Sequence, residues 1–179
     1  NYSYDLGNIP TITSGTDRYY SVINNTPAIF PISDNPSNNT TPPWYQLGFM
    51  SDVNKYDSYI QKSAELYKVD PDLVRSIMYL ETTHGYYDRL YSVFDMNSSI
   101  LPMNVQTPKW DALGTYREAL KNPETNIDIG VKLISRIQER ILDPTPAKVG
   151  TLYHSLSQEQ VDKYGGRLNY YYSTKPWNY

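Results

Sequence analysis

Glu81 is the residue of this 179-residue chain whose type and setting point most directly to chemistry. Leu73, Val74, Ile77, Met78 and Leu80 recur at helical spacing, and Glu81 falls on their stripe, four residues after Ile77 and seven after Val74. A carboxyl group on a core-facing stripe loses solvation. Gly85 is placed to end the helix just beyond it, which sets Glu81 near the negative end of the dipole. Both effects disfavour the charged form. A carboxylic acid kept protonated near neutral pH can hand its proton to a departing glycosidic oxygen, which is what glycoside cleavage requires. The same position equally suits a glutamate that pairs with a buried arginine or caps a neighbouring helix. His84 stands within one turn of Glu81 and reads either as a ligand contact or as the cation a helix C-terminus favours.

Composition removes competing chemistries. The chain has no cysteine, so a disulfide framework, a thiolate metal site and a cysteine nucleophile are all excluded. His84 and His154 are the two histidines, and neither sits in an HExxH or comparable ligand cluster; no metal or other cofactor is expected. Residues 1–59 carry two cations against five acids, and the remaining residues balance 14 against 14. Nucleic acid is a poor partner for such a surface. No apolar run approaches the roughly 18 to 20 residues of a membrane span. The aromatic content is skewed to tyrosine, 19 against three Phe and three Trp, and tyrosine suits half-wet grooves because it joins an apolar face to a polar tip.

The elements that must hold Glu81 follow from period and punctuation. Residues 1–51 are rich in Asn, Thr, Ser and Pro and predict an irregular arm, one hairpin at most, that wraps the rest. From residue 52 the pattern turns helical. Tyr56, Ile60, Ser63, Ala64 and Tyr67 predict a helix that stops near Lys68, and Asp70-Pro71 caps and opens the next, running to about His84. A functional loop is expected from Tyr86 to about Trp110. Pro123 and the stripe Ile127, Val131, Ile134, Ile137 and Ile141 predict a third helix, followed by shorter ones over Pro146 to Leu156 and Ser157 to about Tyr172. Ser157 with Gln160 reads as a capping box for the last, and Gly165-Gly166 as a kink in it.

The order of these motifs resembles the lytic transglycosylase and goose-type lysozyme superfamily. Val69-Asp70-Pro71-Asp72-Leu73-Val74, Ile77 and Glu81 match the family helix that ends on its catalytic glutamate. Leu101-Pro102-Met103-Asn104-Val105 stands where the family has a Gly-Leu-Met-Gln loop. Asn122-Pro123, Asn126-Ile127, Gly130 and Leu133 resemble its next helix, and Tyr153-His154 its Tyr-Asn pair. The likeness spans roughly Tyr56 to Tyr172. It implies a mainly α, lysozyme-like domain over residues 52–179, with Glu81 as general acid. Met103 and Asn104 would line the cleft beside the cleaved bond, and Tyr153 would stand near the glutamate and the N-acetyl sugar.

Two mechanisms occur in that superfamily. Transglycosylases work with the single glutamate and form an anhydro product, whereas goose-type enzymes add an aspartate that positions water. The goose-type pattern has one aspartate nine residues before the loop Gln and another two after it. Asp95 matches the first position and Gln106 replaces the second, where it joins the residues expected to contact substrate. Asp95 also reads as a loop turn before Asn97-Ser98-Ser99. The expected activity is cleavage of peptidoglycan between N-acetylmuramic acid and N-acetylglucosamine, in the periplasm or outside the cell. Because the chain opens at Asn1 with an unusual arm, it is expected to be the toxin or effector part of a longer secreted protein, with an inhibitor or immunity protein as a possible partner. The alternative is a glycan- or partner-binding module that keeps the fold without turnover.

Overall fold

The computed structural model describes residues 8–38, 53–92 and 122–178, with the backbone alone for 82–92. The described chain is mainly helical. Its α-helices are α1 (Gly15–Asn24), α2 (Asp57–Tyr67), α3 (Pro71–Ser92), α4 (Pro123–Gln138), α5 (Pro146–His154) and α6 (Lys163–Thr174). Short 3-10 turns lie at Pro36–Asn38 and Pro176–Asn178. No helix among the described residues is long and apolar enough to cross a membrane.

Helix α4 is among the most deeply buried of the described elements. Asn122 caps it by accepting from the backbone N–H groups of Glu124 and Thr125, and Pro123 supplies the preset φ of a first turn. Its buried positions, among them Ile127, Val131, Leu133, Ile134 and Ile137, reach around most of its circumference. α2 and α5 pack against it, and α3 and α6 pack against each other. The expected stripe thus forms the middle of a bundle rather than one wall.

Capping chemistry sets the borders of α2, α3 and α5 as the sequence predicts. Lys68 closes α2 in the left-handed conformation at φ 58, Asp70 accepts from the Asp72 N–H at the start of α3, and Thr145 accepts from the Lys148 N–H before Pro146 carries α5 inward. The far end of α3 departs from expectation. The helix continues through Gly85 to Ser92, because one interior glycine costs only about 1 kcal/mol relative to alanine and cannot by itself stop a helix. Residues 86–92, expected to open a loop, are therefore helical. Residues 93–121, which held most of it, lie outside the described residues.

The start of α6 also differs. Ser157 and Gln160 do not cap it; Asp162 does, accepting from the Gly165 N–H at 3.0 Å. The segment before it is drawn into extended pairing instead, since Ser33 donates to Glu159 O and Val161 donates to Ser33 O, both at 3.0 Å. Gly165-Gly166 does not interrupt the helix but lies in its first turn. A Cβ on Gly165 would stand 2.3 Å from Ala147 O and 2.1 Å from Thr151 Oγ1, so the glycine allows α6 to lie directly on α5.

The N-terminal arm is less irregular than its composition predicts. Ser14 and Asp17 open α1, and Asn25 ends it in the left-handed conformation at φ 53. Among the described residues of the arm, strand-like pairing is limited to isolated parallel bridges, Thr11 with Ile29 and Ser33 with Gln160, rather than a hairpin. The arm does wrap. Val22, Ala28 and Phe30 share one core with the helices behind them, and three arginines fasten it. Arg136 and Arg140 donate to the carbonyls of Val22, Ile23, Ser21 and Thr26, satisfying the C-terminal turn of α1. Arg18, fully buried, donates to the carbonyls of Ile12, Pro31, Leu156 and Gln158 at 2.6 to 2.9 Å and lies over the Phe30 ring.

Candidate active site

Glu81 sits near the middle of α3, on the face that Val74, Ile77 and Met78 carry into the core, and is 8% exposed. Its burial is the expected one. Its place relative to the helix end is not, because α3 runs on for eleven residues, and the dipole effect fades within the last turn.

Two tyrosines from the α5–α6 pair meet it. The Tyr164 hydroxyl donates to Glu81 Oε1 at 2.5 Å, linking α6 to α3. Burial pushes the Tyr164 hydroxyl well above its ordinary pKa, and the Glu81 charge and their hydrogen bond push it further. Tyr153, on α5, is raised well above its ordinary value by burial first and then by the charge of Glu81. Both hydroxyls therefore keep their protons at any physiological pH. They can serve as donors and not as bases.

The local reason these rings arrive together is the closeness of α5 and α6. Gly165 removes the one Cβ that would strike the α5 backbone, and a Cβ on Gly150 would stand 2.7 Å from Leu168 Cδ1. With the helices this near, Tyr153 and Tyr164 can reach the same side chain on α3. Beneath them Thr151 donates to Ala147 O and contacts Asp162 at 3.2 Å. His154 stacks flat on Tyr164, with ring centroids 4.5 Å apart and planes 2° from parallel, and its Nδ1 is 3.7 Å from Asp162 Oδ2. Burial works against ionisation of Asp162, but the nearby His154 and the hydrogen bonds from the Gly165 N–H and Thr151 outweigh it and hold the carboxyl below its ordinary range.

Two influences act on Glu81 in opposite senses. Desolvation favours the neutral acid, and the hydroxyl donated by Tyr164 favours the carboxylate. A carboxyl group that is both buried and supported in its ionised form is chemically able to give up a proton and take one back. Among the described residues no three His, Asp or Glu side chains gather as a metal site.

The sequence-predicted site is only partly within view. Glu81 and Tyr153 come together. His84 lies on α3, three residues beyond Glu81, where the backbone alone is described. Asp95, Met103, Asn104 and Gln106 lie outside the described residues. Sequence reasoning missed Tyr164 and Asp162. A signal was present in Asp162-x-x-Gly165, which has the spacing of an N-cap followed by a small residue, with Tyr164 inside its first turn. Comparison with known protein families, characterised proteins and solved structures yields no match.

Proposed function

We propose that this chain cleaves the glycan strands of peptidoglycan between N-acetylmuramic acid and N-acetylglucosamine, with Glu81 as general acid on a lysozyme-like helical scaffold. The observation that carries the reading is the convergence on Glu81. A carboxyl group 8% exposed, in mid-helix, accepts a hydrogen bond from Tyr164 and lies within electrostatic reach of Tyr153. A buried glutamate needs a hydrogen-bond donor whatever its role, so the bond alone does not make it catalytic. A proton donor for a leaving sugar oxygen gains orientation from the two tyrosines.

In this reading Glu81 protonates the glycosidic oxygen as the bond to the anomeric carbon breaks. Tyr164 fixes the rotation of the carboxyl group throughout. In an inverting hydrolase a second carboxylate takes the proton of a water that attacks from the opposite face, whereas in a transglycosylase the Glu81 carboxylate takes the proton of the muramic acid 6-hydroxyl as it attacks the anomeric carbon. Asp95 is the residue that would hold the water in the first case. The substrate places the activity in the periplasm or outside the cell, where an inhibitor protein would be the natural partner of a wall-cutting effector.

The test is release of soluble fragments from purified peptidoglycan sacculi by the wild-type chain and by Glu81→Gln. The proposal expects release that the substitution abolishes. Equal release by both proteins removes Glu81 from the reaction, and binding of sacculi with no release by either assigns the chain to the binding-module alternative.

A further inference from the structure

We propose that helix α1 and the α5–α6 connection form a second glycan subsite, which takes one neutral N-acetylhexosamine unit against the ring of Tyr20; this rests on the glycan reading of Glu81. A groove of about 490 Å³ runs between these elements, lined by Thr16, Tyr19, Tyr20, Ser155, Leu156 and Ser157 together with Gly15. That volume falls in the range of small-molecule sites, roughly 300 to 1,000 Å³.

The lining suits a sugar in three respects. Tyr20 is 55% exposed although it is a large ring on a helix whose other face is buried, so a flat aromatic surface is offered to the groove. Tyr19 meets it edge-on at 5.3 Å and holds its plane. Around the rings stand the hydroxyls of Thr16, Ser155 and Ser157, with Ser155 Oγ 3.4 Å from Ser157 Oγ, and no lining side chain is charged. The apolar C–H face of a pyranose packs on such a ring while its hydroxyls meet the rim. A charged ligand would find no counter-ion.

The two walls of the groove are fastened to each other. Arg18, one helix position before Tyr19, fastens α1 to the opposite wall by donating to Leu156 O at 2.7 Å and Gln158 O at 2.6 Å. A cleft held this way does not have to order on binding. Ser155, which lines the groove, caps α5 directly after Tyr153 and His154, so one chain segment serves both places. An extended glycan strand that leaves the Glu81 site along this segment would meet the groove with one of its more distant units. This gives the N-terminal arm a role in substrate binding.

The experiment titrates a soluble β-1,4-linked N-acetylglucosamine tetramer into the Glu81→Gln protein, which binds without cutting, by calorimetry and by following the tyrosine ring signals in NMR spectra. Tyr20→Ala in that background is expected to weaken binding about tenfold, as loss of an aromatic anchor does, with melting temperature unchanged, and Tyr20→Phe is expected to restore most of it. Tetramer binding that Tyr20→Ala leaves unaltered overturns the subsite while the glycan reading of Glu81 stands. Absence of tetramer binding, together with intact sacculi after incubation with wild type, overturns both.

Discussion

Tyr164 and Glu81, 83 residues apart in sequence, are joined by a 2.5 Å hydrogen bond in which the tyrosine is the donor. That direction matters. The raised pKa of Tyr164 keeps its proton in place, so the bond stabilises the carboxylate after Glu81 has given up its own proton. In the proposed reaction the pair is an acid with a built-in support for its conjugate base.

Removing that support has a predictable sign. Tyr164→Phe leaves the burial of Glu81 in place and deletes the donor, so Glu81 keeps its proton to higher pH. The alkaline limit of sacculus-clearing activity is expected to move upward, with a stability loss of roughly 1.5 to 3 kcal/mol for a hydrogen bond to a charged group. An unchanged pH profile would show that the bond does not act on the catalytic proton.

Gly165 is expected to be intolerant of any side chain. Gly165→Ala places a methyl group 2.3 Å from the backbone oxygen of Ala147, which cannot rotate away, and 2.1 Å from Thr151 Oγ1, which can. The cost should be about 1 to 3 kcal/mol or more in urea denaturation. Adding Thr151→Ala should not recover it, because the backbone contact remains. Full recovery in the double variant would contradict the close α5–α6 approach.

Arg18 holds the arm through four carbonyl oxygens that come from different segments. Arg18→Lys retains the charge but has only three donors on one nitrogen, and these cannot span the four acceptors. A destabilisation of at least ~2 kcal/mol is expected, with earlier proteolysis in the arm. Wild-type stability in this variant would show that the arginine is not what fastens α1.

Alkaline pH should weaken the fold in a defined window. Tyr67 is raised from 10.0 to about 12 by burial and by its bond to Asp128, and Tyr172 from 10.0 to about 12 by its bond to Asp70 and by burial. Above pH 10 the unfolded chain has released these protons and the folded chain still holds them. Stability therefore falls as pH rises from about 10 to about 12, and is fully present below that range. Melting temperatures across the window should show the fall, and Tyr67→Phe should make it shallower. A flat profile would contradict the bound state of these hydroxyls.

The helices that sequence revealed were those whose caps and apolar period agree. α4 is the clearest, with Asn122-Pro123 at its start and isoleucines at helical spacing. α1 stayed hidden because its buried face is Arg18, Ser21 and Val22, and an arginine satisfied by carbonyls leaves no apolar stripe to read. Gly85 and Gly165-Gly166 misled for a related reason, since a glycine marks a break and a close helix contact with the same letter. Ser157 and Gln160 have the spacing of a capping box, but pairing of their neighbours with Ser33 claims that backbone first. At the site, Glu81 was legible from its place on a helix face. Tyr164 was not, because a contact between distant helices is set by how closely they pack, which the local period does not carry.

The most direct test of Glu81 as general acid is mass spectrometry of the fragments released from purified sacculi by wild type and by Glu81→Gln. Disaccharide-peptide fragments cut between N-acetylmuramic acid and N-acetylglucosamine are expected from wild type, with anhydro or reducing ends naming the mechanism, and none from Glu81→Gln. The same fragments in the same yield from both proteins would contradict the account.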